Sequence, residues 1–165
     1  MQSFSLNVVL YQPEIPQNTG NIVRTCAAVG AQLHLIKPLG FSVRDRHLKR
    51  AGLDYWHMVD IFYYHGLADF FEKNEGKNLN FITKKASKTY DKIDFNGEIF
   101  LIFGKETAGL PEDILRDHWN KCYRIPMKEN ARSLNLSNAV AILLYEACRQ
   151  KGFGTLRLHG NKEFD

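Results

Sequence analysis

In the stretch "EIPQNTGNIVRT", Glu14 to Thr25, Pro16, Asn18, Gly20 and Asn21 turn the chain into an apolar helix that carries one cation, Arg24. A guanidinium is a permanently charged, planar fork, suited to a phosphate or to an oxygen gaining negative charge. Two further stretches have a comparable make-up. In "FGKETAGLP", Phe103 to Pro111, Glu106 stands between Gly104 and Gly109, and a glycine lets the backbone bend sharply or come close to a ligand. In "IPMKENARSLNLSNA", Ile125 to Ala139, the groups Asn130, Arg132, Ser133, Asn135, Ser137 and Asn138 lead into a long apolar run. Each stretch alone also fits a plain turn, and Asn135 or Ser137 fits a cap on the last helix.

The last helix adds two candidates. Leu136, Ala139, Val140, Leu143, Leu144, Ala147 and Cys148 form one apolar stripe, yet Ala141 and Ile142 on the other side are apolar too. Such a helix either crosses the core or has a partner subunit on its second face. There Asn138, Ile142 and Tyr145 follow at spacings of four and three, so an amide and a phenol share a direction. Both also suit a packed interface.

Charge supplies a third group. The run "RDRHLKR" sets Arg44, Arg46, Lys49 and Arg50 against Asp45, and Lys84, Lys85 and Lys88 follow the strand-like "NFIT". These are two solvated faces or a footprint for nucleic-acid phosphate. The net charge of +4 permits an acidic partner without demanding one.

The elements that must position these groups read as strands alternating with helices. "LNVVLY" is the continuous apolar run of a strand buried on both faces, and helix one spans roughly Thr19 to Val29, stopped by Gly30. "QLHLIKP", "MVDIFYYH", "LNFITK", "EIFLIFG" and "KCYRIP" read as further strands, and "LADFFEKNEG" as a short amphipathic helix. "LPEDILRDHW" is a helix with Pro111 at its first position and Glu112 and Asp113 in its first turn, where the helix dipole favours carboxylates. Six strands in this alternation predict an α/β domain with a mainly parallel sheet, in which ligands bind beyond the carboxyl ends of the strands.

Several chemistries are excluded. A GxGxxG after the first strand, a GxxxxGK[ST], a GxSxG and an HExxH are all missing, so nothing supports a dinucleotide fingerprint, a P-loop, a serine elbow or a metal. The cysteines, Cys26, Cys122 and Cys148, are far apart and read as small buried hydrophobes. His57, His65 and His159 read as surface or packing residues. With 165 residues and 44% hydrophobic content, one domain over 1–165 is expected, its tail from 151 mobile. No apolar run approaches the roughly 18 residues of a membrane span, and the first residues lack a signal pattern, so the cytoplasm is expected.

Taken in order, "NTGNIVR", "FGKETAGLP" and "RIPM" with "RSLNLSNAVAILLYEA" resemble the three motifs of the SPOUT RNA methyltransferases. Within that superfamily the wording, including "LYQPEIPQNTGNI" and "RAGLDYW", is closest to the small tRNA wobble-nucleotide ribose 2′-O-methyltransferases of the TrmL type. The resemblance runs from about Phe4 to Gln150. It implies an α/β fold with a C-terminal trefoil knot, a homodimer, and S-adenosylmethionine as methyl donor, leaving S-adenosylhomocysteine. It carries cofactor contacts onto Ile82, Thr83, Gly104, Ile125 and Ser133, and a catalytic group onto Arg24, with Asn18 ordering the turn and Tyr145 near the ribose. Glu106 matches the family carboxylate, its role open. The anticodon stem-loop of a tRNA, a leucine tRNA by resemblance, would lie on Arg44, Arg46, Lys49, Arg50 and Asn138. A ribose elsewhere in tRNA or in ribosomal RNA, or an RNA chaperone without activity, are the alternatives.

Overall fold

The computed structural model describes residues 4–162; of the expected mobile tail, 163–165 lie outside the described residues. Seven parallel strands form one sheet: β1 (Ser5–Tyr11), β2 (Gln32–Ile36), β3 (Ile61–Tyr64), β4 (Asn78–Ile82), β5 (Lys88–Thr89), β6 (Glu98–Phe103) and β7 (Cys122–Arg124). Their order is β3-β2-β1-β6-β4-β7-β5, so β6 enters between β1 and β4. Because every pairing is parallel, all the carboxyl ends lie along one edge.

Two apolar layers cover the sheet. On one face, Val8, Leu10, Leu33, Leu35, Ile99 and Leu101 pack with Ile22, Val23 and Cys26 of α1 (Pro16–Val29) and with Val140, Leu143, Leu144 and Ala147 of α6 (Leu136–Gln150). On the other, Val9, Ile36, Phe81, Phe100 and Ile102 meet Phe70 of α4 (Leu67–Lys73) and Leu115 of α5 (Glu112–Asp117). Each such side chain taken fully out of water contributes about 1.5–3 kcal/mol. All three cysteines are free and buried, and burial pushes the Cys26 thiol up to about 12.

Several boundaries differ from those expected. Helix α1 starts at Pro16, a turn before Thr19, because a proline at the first helical position gives up an N–H that would be unpaired anyway. Pro111 is the cap of α5 and not its first residue, its ψ of 141 being extended. The two-residue β5 went unforeseen, too short to have a pattern. So did the winding of 46–56 as α2 (Arg46–Leu48), a π-type turn (Lys49–Leu53) and α3 (Asp54–Trp56). That segment has little apolar periodicity, and contact with α1 holds it. A Cβ on Gly52 would lie 2.1 Å from the Gly20 carbonyl oxygen, and one on Gly20 would lie 2.5 Å from the Ala51 Cβ. Gly30 closes α1 in the left-handed conformation, as expected.

Candidate active site

At the carboxyl edge of the sheet the three polar stretches meet. The first leaves β1 and leads into α1, the second follows β6, and the third follows β7 and leads into α6. One carboxylate links them. Glu106 accepts the backbone N–H groups of Glu14 at 2.8 Å and Ile15 at 3.1 Å, and the side-chain amide of Asn18 at 3.3 Å. Asn18 then accepts from the Asn135 amide at 2.9 Å, and Asn135 caps α6 by accepting from the N–H of Ser137 at 2.9 Å and of Asn138 at 3.4 Å. In the opposite sense, Glu14 accepts the N–H and the hydroxyl of Thr107, each at 2.9 Å. These donors hold the Glu14 carboxyl below the usual carboxylate range. Helix α1 has no side-chain cap of its own, so the Glu106 carboxylate stands where its dipole favours negative charge.

A cavity of about 500 Å³ opens beside this chain of bonds. Its lining includes Ile82 and Thr83 beyond β4, Gly104 beyond β6, Ile125 beyond β7 and Ser133 of the third stretch, together with Asn18, Glu106 and Asn135. Residues from four parts of the sequence thus share one wall. Gly104 has no room for a side chain: a Cβ there would lie 2.1 Å from the carbonyl carbon of Gly109 and 2.3 Å from the Leu110 nitrogen. Gly109 adopts a positive φ of 69 and donates its N–H to the Lys105 carbonyl at 2.8 Å, which closes the turn. Apolar Ile82, Leu110, Leu115 and Ile125 beside Thr83, Ser133 and Asn135 suit a ligand with one flat apolar part and one polar part. That is the make-up of an adenosine carrying an amino-acid chain.

Arg24 is not in this lining. It lies six residues after Asn18, about 9 Å along the helix and a third of a turn round it. Its side chain is exposed, with the guanidinium 5.1 Å from the centre of the Tyr55 ring. Tyr145 is 47% exposed and Asn138 is exposed, while Ile142 between them is only half-buried, so this face of α6 has no cover within the chain. Arg44, Arg46, Lys49 and Arg50 are exposed, and none forms an ion pair among the described residues. The second basic group is less free: Lys85 pairs with Glu112 at 2.6 Å, and Lys88 lies 4.7 Å from the centre of the Tyr123 ring.

Sequence reasoning missed the ring beneath Arg24 and left Glu106 open. The Glu106 bonds join residues about ninety apart and the Arg24 contact joins residues about thirty apart, so neither leaves a local pattern. Among the described residues no group of three His, Cys, Asp or Glu stands close enough to hold a metal, and no helix is long and apolar enough to cross a membrane.

Residues 5–145 match the model of the SpoU rRNA methylase family. A Geobacillus stearothermophilus protein, provisionally named a tRNA (cytidine(34)-2′-O)-methyltransferase, is 56% identical over 90% of this chain and 97% of its own. A solved structure described as giving insights into the 2-OH methylation of C/U34 on tRNA is 44% identical, with a TM-score of 0.86 over 91% of this chain and 98% of that one. The SpoU methyltransferase AviRb from Streptomyces viridochromogenes, in complex with the cofactor AdoMet, is 27% identical, with a TM-score of 0.82 over 93% of this chain and 60% of that one.

Proposed function

Because the chain belongs to the SpoU rRNA methylase family and is an RNA methyltransferase, we propose that it methylates the ribose 2′-OH of the wobble nucleotide, cytidine or uridine 34, of a tRNA. The methyl donor in this reading is S-adenosylmethionine, held by Ile82, Thr83, Gly104, Ile125 and Ser133. The observation that carries it is the cavity itself: residues expected at the cofactor from three separate stretches line one concavity, in whose wall Glu106 ties the helix bearing Arg24.

The donor, when bound, supplies a methyl already activated on a sulfonium. The protein has to hold the attacking oxygen in line and let its proton leave. Neutral guanidine is about 9 kcal/mol out of reach at pH 7, so proton abstraction is a costly task for an arginine. Arg24 is proposed instead as a fixed cation that stabilises the developing alkoxide and grips the adjoining phosphate. Asn18 is proposed to order the turn before it, and the Tyr145 phenol to hydrogen-bond the ribose or the guanidinium. Since Arg24 does not line the cavity of its own chain, it is proposed to serve the cavity of a second copy in a homodimer. The uncovered Asn138, Ile142 and Tyr145 face of α6 supports such an interface. The anticodon stem-loop would lie along Arg44, Arg46, Lys49 and Arg50, with the cytoplasm as the place of action and a leucine tRNA as the substrate.

The test is methyl transfer from labelled S-adenosylmethionine to total tRNA and, separately, to ribosomal RNA, with the product nucleotide mapped by mass spectrometry. Label on the ribose of nucleotide 34 is the expected result. Label in ribosomal RNA alone would overturn the tRNA reading, and no label in either would overturn the enzyme reading.

A further inference from the structure

A second concavity, of about 590 Å³, opens at the same edge of the sheet, on the other side of β1. It is lined by Lys37 and Phe41 beyond β2, Val43, and Tyr63 and His65 at the end of β3. Tyr63 is 41% exposed, on β3 at the edge of the sheet. The Lys37 ammonium lies 5.7 Å from the centre of that ring, within the range of a cation–π contact. No carboxylate lines the concavity. Asp69, in the first turn of α4, accepts the N–H of His65 at 2.9 Å and pairs with Lys73 at 2.7 Å.

The concavity is joined to the candidate active site by backbone. The N–H of Gly40 donates to the Pro13 carbonyl at 2.9 Å, and a Cβ on Gly40 would lie 2.8 Å from the Cα of Glu14. Glu14 is the residue whose N–H and carboxylate engage Glu106 and Thr107. From Val43 the chain runs straight into Arg44 and Arg46. With strands about 4.8 Å apart, the ends of β2 and β3 lie roughly 10–20 Å from those of β6 and β4, a span that a few unpaired nucleotides bridge.

We infer that this concavity takes one unpaired nucleotide of the RNA substrate, a neighbour of the methylated one, with its base against the Tyr63 ring and its phosphate toward Lys37 and Arg44. This rests on the proposed function. A half-exposed aromatic ring beside a lysine, in a concavity lined by no carboxylate, is a combination that proteins use to hold single-stranded nucleic acid, since every base has a stacking face and every phosphate a charge. The recognition is by stacking, so it tolerates any base but requires that the nucleotide be unpaired.

The test measures binding of a 17-nucleotide-scale anticodon hairpin RNA (about one stem and loop) to wild type, Tyr63→Ala, Tyr63→Phe and Lys37→Ala. S-adenosylmethionine affinity and thermal melting are followed as controls. Tyr63→Ala is expected to weaken RNA binding about tenfold or more, Tyr63→Phe to stay within about threefold, and Lys37→Ala to fall between. Cofactor affinity should not change, because Tyr63 does not line that cavity, and Tyr63→Phe should melt as wild type does. Removing one loop base at a time from the RNA should locate a position whose loss weakens wild type but not Tyr63→Ala. Wild type that neither binds nor methylates the hairpin overturns the proposed function and this inference with it. Wild type that methylates it while Tyr63→Ala binds it equally well overturns the inference alone, as does a Tyr63-dependent change in oligomeric state with unchanged RNA affinity.

Discussion

The polar chain from Glu106 through Asn18 to Asn135 and the polar chain from Asn7 through His34 and Tyr64 to Asn74 each join elements far apart in sequence, but their hydrogen bonding differs. In the second, Asn7 donates to the Ile99 carbonyl at 3.2 Å and its oxygen lies 3.0 Å from Nε2 of His34. The other ring nitrogen is 2.8 Å from the Tyr64 hydroxyl, which in turn accepts from Asn74 at 3.4 Å. Every donor faces an acceptor if the imidazole is neutral with its proton on Nε2. All four residues are buried, and Phe62 stacks on the imidazole while Phe70 meets it edge-on and Phe100 at a tilt. Nothing is left over for a ligand. The Glu106 chain sits at strand ends, beside two glycines, and three of its members, Glu106, Asn18 and Asn135, line a cavity. Closed polar chains specify a sheet; open ones at its carboxyl edge can serve a ligand.

The sharpest way to break this contrast is Gly104→Ala. The new methyl has no place to go but into the Gly109–Leu110 backbone, so the loop must move, and S-adenosylmethionine binding measured by calorimetry is expected to fall by more than about a hundredfold while the sheet stays folded. Normal binding would mean that this wall is not the cofactor site.

The closed chain makes a pH prediction. Burial pushes His34 down to about 4 from its ordinary value near 6.5. Between those values the unfolded chain binds a proton that the native state refuses, so the stability it contributes is full above about pH 6.5, declines as pH falls, and levels off below about 4. The loss across that window is about 3 kcal/mol, read as the difference in pH slope of urea unfolding between wild type and His34→Gln. Equal slopes would show that the ring is not held neutral. Cofactor affinity at pH 7 should be untouched in that variant, which separates the two chains.

Arg24 tests the helix that the open chain anchors. Arg24→Ala is expected to lower methyl transfer about a hundredfold, and Arg24→Lys less, with cofactor affinity unchanged in both. Lost cofactor binding would move the residue from chemistry to structure, and unimpaired transfer would leave it an exposed arginine stacked on Tyr55.

The smallest effect is reserved for Glu106→Gln. The amide keeps an oxygen for the Ile15 N–H and the Asn18 amide but turns an NH₂ toward the Glu14 N–H, so that bond is lost. A tenfold loss in transfer, with a melting point lower by a few degrees, is the expected scale for one charge-assisted bond. An unchanged rate would show that the loops hold their places without it.

The sequence by itself determined the alternation of strands and helices, the parallel sheet, the glycine-bearing exits and a cap on the last helix at Asn135 or Ser137. Those follow from periodicity and from the conformational needs of single residues, which neighbours in the chain suffice to express. It did not disclose that 46–56 is helical, since the contact of Gly20 with Gly52 that holds this segment joins residues about thirty apart. Nor did it disclose the role of Glu106 or the polar chain through His34. Those were decided by the strand order, in which β6 inserts between β1 and β4 and brings Glu106 against Glu14, ninety-two residues earlier. A hydrogen bond needs two groups within about 3 Å, and only the packed sheet brings such distant groups that close.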